Sequence, residues 1–177
     1  MGIGKSTAIR ALCGELAVDC DVENLDQARS AKATTTVGAD YGVIQLDDGT
    51  QLHIYGSPGQ ERFTFVREWL MGLAIGAVIL VDANEHGAIE DCVTLIREME
   101  ALPTQPTTMV VIARPATDDQ IHQFSMTLAQ TTGWPVPAMA ADVRDRQQML
   151  NVLSVLFSML SVDSVADDEQ SAIEYDN

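Results

Sequence analysis

At 177 residues, 46% of them hydrophobic, the chain is long enough for one domain with a sizeable core and too apolar to be disordered. Its formal net charge of −16 argues against nucleic acid, which wants a basic footprint, and against anionic membrane surfaces. Cys13, Cys20 and Cys92 share no CxxC or Cys/His spacing and read as buried or incidental thiols of a reducing cytosol. No signal peptide is visible, and the longest apolar run, near Leu73 to Val81, is too short to insert across a bilayer.

Thr7 to Leu16 reads as a first helix, and Val18 to Thr35 as a long polar loop. Thr36 to Leu46 has strand character. Asp47-Asp48-Gly49-Thr50 is a hairpin turn signal, so Gln51 to Tyr55 returns antiparallel. Gly56 to Arg62 breaks regular structure before a short helix at Phe63 to Leu73. Ala74 to Asp82 is a continuous apolar run, the pattern of a strand buried on both faces. Ile89 to Leu102 has helical spacing and ends before Pro103 and Pro106. Thr108 to Ala113 is a second buried strand, Asp118 to Thr131 a helix, Val136 to Met139 a short strand and Asp145 to Leu160 a last helix. Alternating strands and helices predict an α/β fold, a mostly parallel sheet with helices on both faces and one antiparallel hairpin. One domain covers residues 1–162. Residues 163–177, with six acids and no base, are expected to be a solvated, mobile tail.

The chemistry begins at Met1-Gly2-Ile3-Gly4-Lys5-Ser6-Thr7. Gly-Lys-Ser-Thr running into a helix is the second half of the phosphate-binding pattern G-x-x-x-x-G-K-[ST]. Gly2 and Gly4 let the backbone approach phosphate, and the helix aims its unpaired N–H groups at the anion. Lys5 would reach the β- and γ-phosphates, Ser6 would place its hydroxyl on Mg²⁺, and Thr7 would touch the α-phosphate. Lys5 is one of only two lysines, the other being Lys32, so it is not one of a crowd of solvating charges. The first glycine of the pattern and the strand before it would lie upstream of Met1. The expectation is a missing N-terminal segment and, in the chain as given, a gap in the sheet between Gln51–Tyr55 and Ala74–Asp82.

Two later segments fall in a telling order. Gly56-Ser57-Pro58-Gly59-Gln60-Glu61-Arg62-Phe63 resembles the D-x-x-G-Q-E switch of Ras-like small GTPases, and Thr34 to Gly42 resembles their T-x-G-x-D-[FY] switch. The resemblance covers about residues 1 to 85. It implies a Ras-like sheet lacking its first strand, GTP or GDP with Mg²⁺ as ligands, and slow hydrolysis. It further implies that Thr36 completes Mg²⁺ coordination, that the Gly59 amide bonds the γ-phosphate and that Gln60 orients the attacking water. Partner proteins, small Roadblock-type modules among them, would read the switches.

The chain departs from the family at three places. Gly56 stands where an aspartate usually holds Mg²⁺ through water, with Asp40 and Asp82 the nearest candidates to compensate. Arg114 and Pro115 stand where the guanine-reading N/T-K-x-D motif begins. That leaves Asp118 or Asp119 to accept from guanine, and Arg114 either to stack on the base or to face solvent. Ala140-Ala141-Asp142 replaces the S-A-K loop, leaving the Ala141 amide for the usual contact. His53, His86 and His122 share no catalytic spacing. Two other readings stand beside the switch: a degenerate, non-hydrolysing interaction module, and a P-loop kinase of small molecules, in which the GQE segment has no place.

Overall fold

The computed structural model describes residues 2–18, 21–23, 34–36, 40–57 and 63–174, with backbone alone for 21–23, 34–36 and 162–174. Five helices are described: α1 (Lys5–Cys13), α2 (Thr64–Leu73), α3 (Ala88–Glu100), α4 (Asp118–Thr132) and α5 (Arg146–Glu174). The strands are β1 (Asp21–Glu23), β2 (Thr34–Thr36), β3 (Asp40–Gln45), β4 (Gln51–Gly56), β5 (Gly76–Val81), β6 (Thr107–Ile112) and β7 (Ala138–Ala140).

Strands β5, β6 and β7 form a parallel sheet with β6 central, paired Val78↔Met109 on one side and Val111↔Met139 on the other. The period of two along β6 divides the core into two layers. Met109 and Val111 face α1 and α5, with Ile9, Leu12, Val152 and Leu156. Val110 and Ile112 face α3 and α4, with Ile96, Phe124 and Leu128. Helices cover both faces, the architecture expected of alternating strands and helices.

Strands β3 and β4 pair antiparallel, Asp40↔Gly56 through Gln45↔Gln51, around the Asp47–Thr50 turn. They form a separate sheet, and among the described residues β4 pairs only with β3 and β5 only with β6. That is the expected gap. It explains why β5 is not buried as its apolar run predicted: Ala77, Val78 and Leu80 are only partly covered, whereas β6 is buried from Thr108 to Ile112. Helix α1 bridges the gap by packing on β3, β4 and α5.

Three boundaries differ from the sequence reading. The loop expected over Val18 to Thr35 contains β1 and the start of β2, paired antiparallel with Asp21 opposite Thr36. Of the strand expected over Thr36 to Leu46, Thr36 ends β2 and Asp40–Gln45 is β3, while residues 37–39 lie outside the described residues. Helix α5 runs on to Glu174, well past the expected stop at Leu160, because no Gly or Pro interrupts Ser161 to Glu174.

Candidate functional site

Helix α1 starts on Gly4, which takes a left-handed conformation (φ 113, ψ 20) that L side chains rarely adopt. The first intrahelical bond is Ala8 N–H to the Gly4 carbonyl, 2.9 Å. No side chain caps this end, and its first turn holds no acid. The N–H groups of Lys5, Ser6 and Thr7 therefore have no intrahelical acceptor. Helix α4 shows the contrast: Thr117 and Gln120 close a capping box that satisfies the N–H groups of both residues. An open helix end in an acidic chain is a place for an anion.

Three contacts hold this turn at the carboxyl ends of the strands, where ligands gather in α/β folds. A Cβ on Gly4 would lie 2.8 Å from Val143 Cγ2, in the loop after β7. Arg114, just beyond β6, donates from its guanidinium to the Gly2 carbonyl at 2.7 Å. Ser6 Oγ donates to Asp40 Oδ2 at 2.5 Å, across to the start of β3. Asp40 is 5% exposed and lies opposite Gly56 in the ladder. Beside Gly56, Ser57 carries a buried hydroxyl oxygen with no hydrogen-bond partner among the described residues. Buried polar atoms in native folds are nearly always satisfied, and residues 58–62, which follow Ser57 directly, lie outside the described residues.

The remaining candidates divide. Asp82 is engaged in its own loop, its Oδ1 accepting from the Asn84 backbone and side-chain amides at 3.0 Å each. Arg114 is tied to the glycine turn through the Gly2 carbonyl. Asp118 is exposed in the first turn of α4. The Ala141 amide donates to the Ile112 carbonyl at 3.2 Å, so it is already engaged in the sheet. Next to it, hydrogen bonds from the Arg144 side chain and backbone hold Asp142 down at about 2. The ion pair, 2.7 Å long, offsets a carboxylate that would otherwise oppose an anion nearby. Thr36 ends β2 and only its backbone is described; Gly59 and Gln60 lie outside the described residues.

Of the histidines, His53 Nδ1 meets the Tyr41 hydroxyl at 2.6 Å on the exposed side of the hairpin, while His86 and His122 are exposed. Cys13 and Cys92 are buried, and Cys20 lies outside the described residues. A cavity of about 320 Å³ between Thr107, Trp134 and Met159 lies at the amino end of β6, away from the glycine turn. Among the described residues no cluster of three or more His, Cys, Asp or Glu could hold a metal, and no helix is long and apolar enough to cross a membrane.

No family model matches the chain. Over 56 residues it is 36% identical to an uncharacterized protein, MJ1339, of Methanocaldococcus jannaschii. That match covers 32% of this chain and 36% of the relative, so the chain matches only about a third of the relative's length. The crystal structure of a bacterial selenocysteine-specific elongation factor, EF-Sec, is similar over 92% of this chain and 27% of that one, with a TM-score of 0.61 and 18% identity. The likeness is one of fold alone, and the chain spans about a quarter of that structure's length.

Proposed function

We propose that the chain is a small GTP-binding protein acting as a molecular switch, which binds GTP with Mg²⁺ and hydrolyses it slowly. One observation carries this reading. An uncapped helix begins on a left-handed glycine with Lys5 and Ser6 as its first residues, and Ser6 is joined to the buried Asp40. Lys5 supplies the charge for the β- and γ-phosphates. Hydroxyl and carboxylate oxygens are the hard donors that Mg²⁺ takes, and Ser6 with Thr36 would hold it. Gly59 and Gln60 are assigned to the γ-phosphate and the attacking water. The segments bearing Thr36 and Gly59 order when the γ-phosphate is present and release when it is lost. Regulatory or effector proteins, Roadblock-type modules among them, would read that change. The fold shared with the elongation factor supports a guanine nucleotide as the ligand.

The test is binding of fluorescent GTP and GDP to the parent chain and to Lys5→Ala. The parent should bind, and at about a hundred times its Kd the ligand should add roughly 2.7 kcal/mol of stability. Lys5→Ala should lose most of both. Equal retention by the two proteins refutes the reading.

A second reading has its own observations. The usual base readers are replaced, and the residues in their places are engaged elsewhere: Arg114 on Gly2, and the Ala141 amide on Ile112. A site without its hydrogen-bond readers discriminates poorly between bases. Helix α2 also presents Phe65, Trp69 and Leu73, each more than 60% exposed, at helical spacing. A degenerate fold that serves as an interaction module would show these features. Its signature is a purified protein that stays empty, with an unchanged melting temperature in millimolar GTP and Mg²⁺.

A further inference from the structure

We infer that the cavity at the amino end of β6 binds a small organic cation, a guanidinium, amidinium or ammonium group on an apolar body. Its volume of about 320 Å³ falls within the range of small-molecule sites. It lies at the opposite end of the parallel strands from the glycine turn, so nothing about it rests on the nucleotide-binding reading. Ile96 of α3, Met159 of α5, and Pro106 and Pro137 at the starts of β6 and β7 give it an apolar lining. Glu100, the last residue of α3, and Trp134, just past α4, complete the wall. Trp134 Nε1 donates to Glu100 Oε1 at 2.9 Å, which sets the indole and the carboxylate side by side. A carboxylate so engaged keeps its second oxygen to accept from a ligand. Among the described residues no ion pair engages Glu100.

The indole is held in place from its backbone as well. Gly133 ends α4 in a left-handed turn, and Thr132 Oγ1 donates to the Trp134 carbonyl at 2.9 Å. The ring is nevertheless 38% exposed. An indole attracts a cation more strongly than any other side-chain ring, and here a carboxylate stands beside it. Polar neighbours are satisfied within the protein: Thr108 Oγ1 donates to the Pro106 carbonyl at 2.8 Å, and the Gln105 side-chain amide to the Glu100 carbonyl at 3.3 Å. The Glu100 carboxylate therefore sets the sign of the ligand. A cation meets charge and ring together, whereas an anion meets a carboxylate in a chain of net charge −16. Gln105 is a second mark of a built site. Its φ of 39 is the one left-handed value at a non-glycine residue among the described residues, and such strain gathers at ligand clamps and switches. The bend closes the turn from α3 into β6, with the Gln105 N–H on the Leu102 carbonyl at 3.2 Å, and it brings Glu100 and Pro106 onto one cavity.

The experiment follows the tryptophan indole signals of the full chain in a proton–nitrogen correlation spectrum, with Trp134→Phe to tell Trp134 from Trp69. The probe is benzamidine, an amidinium on an aromatic ring, and the control is benzamide, its neutral near-isostere. Benzamidine should move the Trp134 signal along a saturable curve, and benzamide should need about five- to ten-fold more for the same shift. Glu100→Gln keeps an acceptor for the indole and removes only the charge, so the two midpoints should then agree within about two-fold. Met159→Trp fills the cavity from α5 and should abolish the shift with both probes; it is the deciding variant if Glu100→Gln does not fold. The assignment is overturned if benzamidine gives no saturable shift at Trp134, if benzamide matches it in the parent, or if its advantage survives Glu100→Gln or its binding survives Met159→Trp.

Discussion

Replacing Gly4 by alanine should destabilise the fold through two separable effects. At φ 113 and ψ 20 the residue is left-handed, which costs an L side chain about 1–2 kcal/mol. The added methyl would also lie 2.8 Å from Val143 Cγ2. Val143 is 3% exposed and packed in the core under α1, so it has no solvent to move into. Forcing a methyl into such a site costs about 1–3 kcal/mol. Together the two predict a loss of about 2–5 kcal/mol, a large part of the roughly 5–15 kcal/mol typical of a domain. Val143→Ala separates them. In that background the clash is gone and only the backbone strain remains, so Gly4→Ala should cost about 1–2 kcal/mol. The coupling between the sites should be about 1–3 kcal/mol. Urea unfolding of the four proteins, followed by far-ultraviolet circular dichroism, gives all the terms. Costs that agree within about 0.5 kcal/mol in the two backgrounds would refute the contact. A cost well below 1 kcal/mol in both, taking about 1 as the least the strain allows, would refute the left-handed turn itself.

Arg114→Ala should weaken fluorescent GDP binding by a few-fold to about ten-fold, the worth of one ordinary solvent-exposed hydrogen bond, by loosening the Gly2 backbone; Arg114→Lys should not recover it, because an ammonium lacks the guanidinium fork. Unchanged affinity in Arg114→Ala would show that the tie to Gly2 does not shape the loop. Burial pushes the Cys92 thiol up to about 11, so iodoacetamide at pH 8, followed by peptide mass spectrometry, should label it only as fast as the chain opens. The folded value lies above the unfolded thiol's, so the stability linked to Cys92 is whole below about pH 8.5 and is lost as pH rises through about 11. Cys92→Ala should flatten that alkaline fall in the urea midpoint; a fall of the same steepness would place its origin elsewhere.

The sequence showed most where one local rule decides the outcome. Apolar runs became β5 and β6, the Asp47–Thr50 turn became the β3–β4 hairpin, and Gly4-Lys5-Ser6 became an open helix end. It showed least where two distant segments must meet. Asp40 and Asp82 were equal candidates to offset Gly56, since spacing along the chain cannot tell which strand faces Ser6. The ladder register sets Asp40 opposite Gly56, while Asp82 closes its own loop on Asn84. The bond from Arg114 to Gly2 was not legible for the same reason, because its partner is at the other end of the chain. The apolar pattern of β5 misled differently. It reports what the strand could bury, not whether a neighbour is there to bury it.

The gap between β4 and β5 ties these observations together. The residues around the glycine turn come from both sides of it: Asp40 and Gly56 belong to the β3–β4 sheet, while Arg114, Asp142 and Val143 follow β6 and β7. Among the described residues no hydrogen-bonded ladder joins the two sheets. The join is made by α1, whose Ile9 and Leu12 lie in one core with Ile44 and Ile54 of the hairpin and with Met109 and Val111 of the parallel sheet. Its first turn then reaches both ways, Ser6 to Asp40 and Gly4 to Val143. Apolar burial is non-directional and tolerates small sliding, whereas a ladder fixes register residue by residue. The distance between the two halves is therefore set more softly than the geometry within either. An anion bound at the open end of α1, with a cation drawn to Ser6 and Asp40, would add directional bonds on both sides of that soft joint. Ligand binding and the closure of the sheet halves onto α1 are then one equilibrium, and whatever tightens one tightens the other.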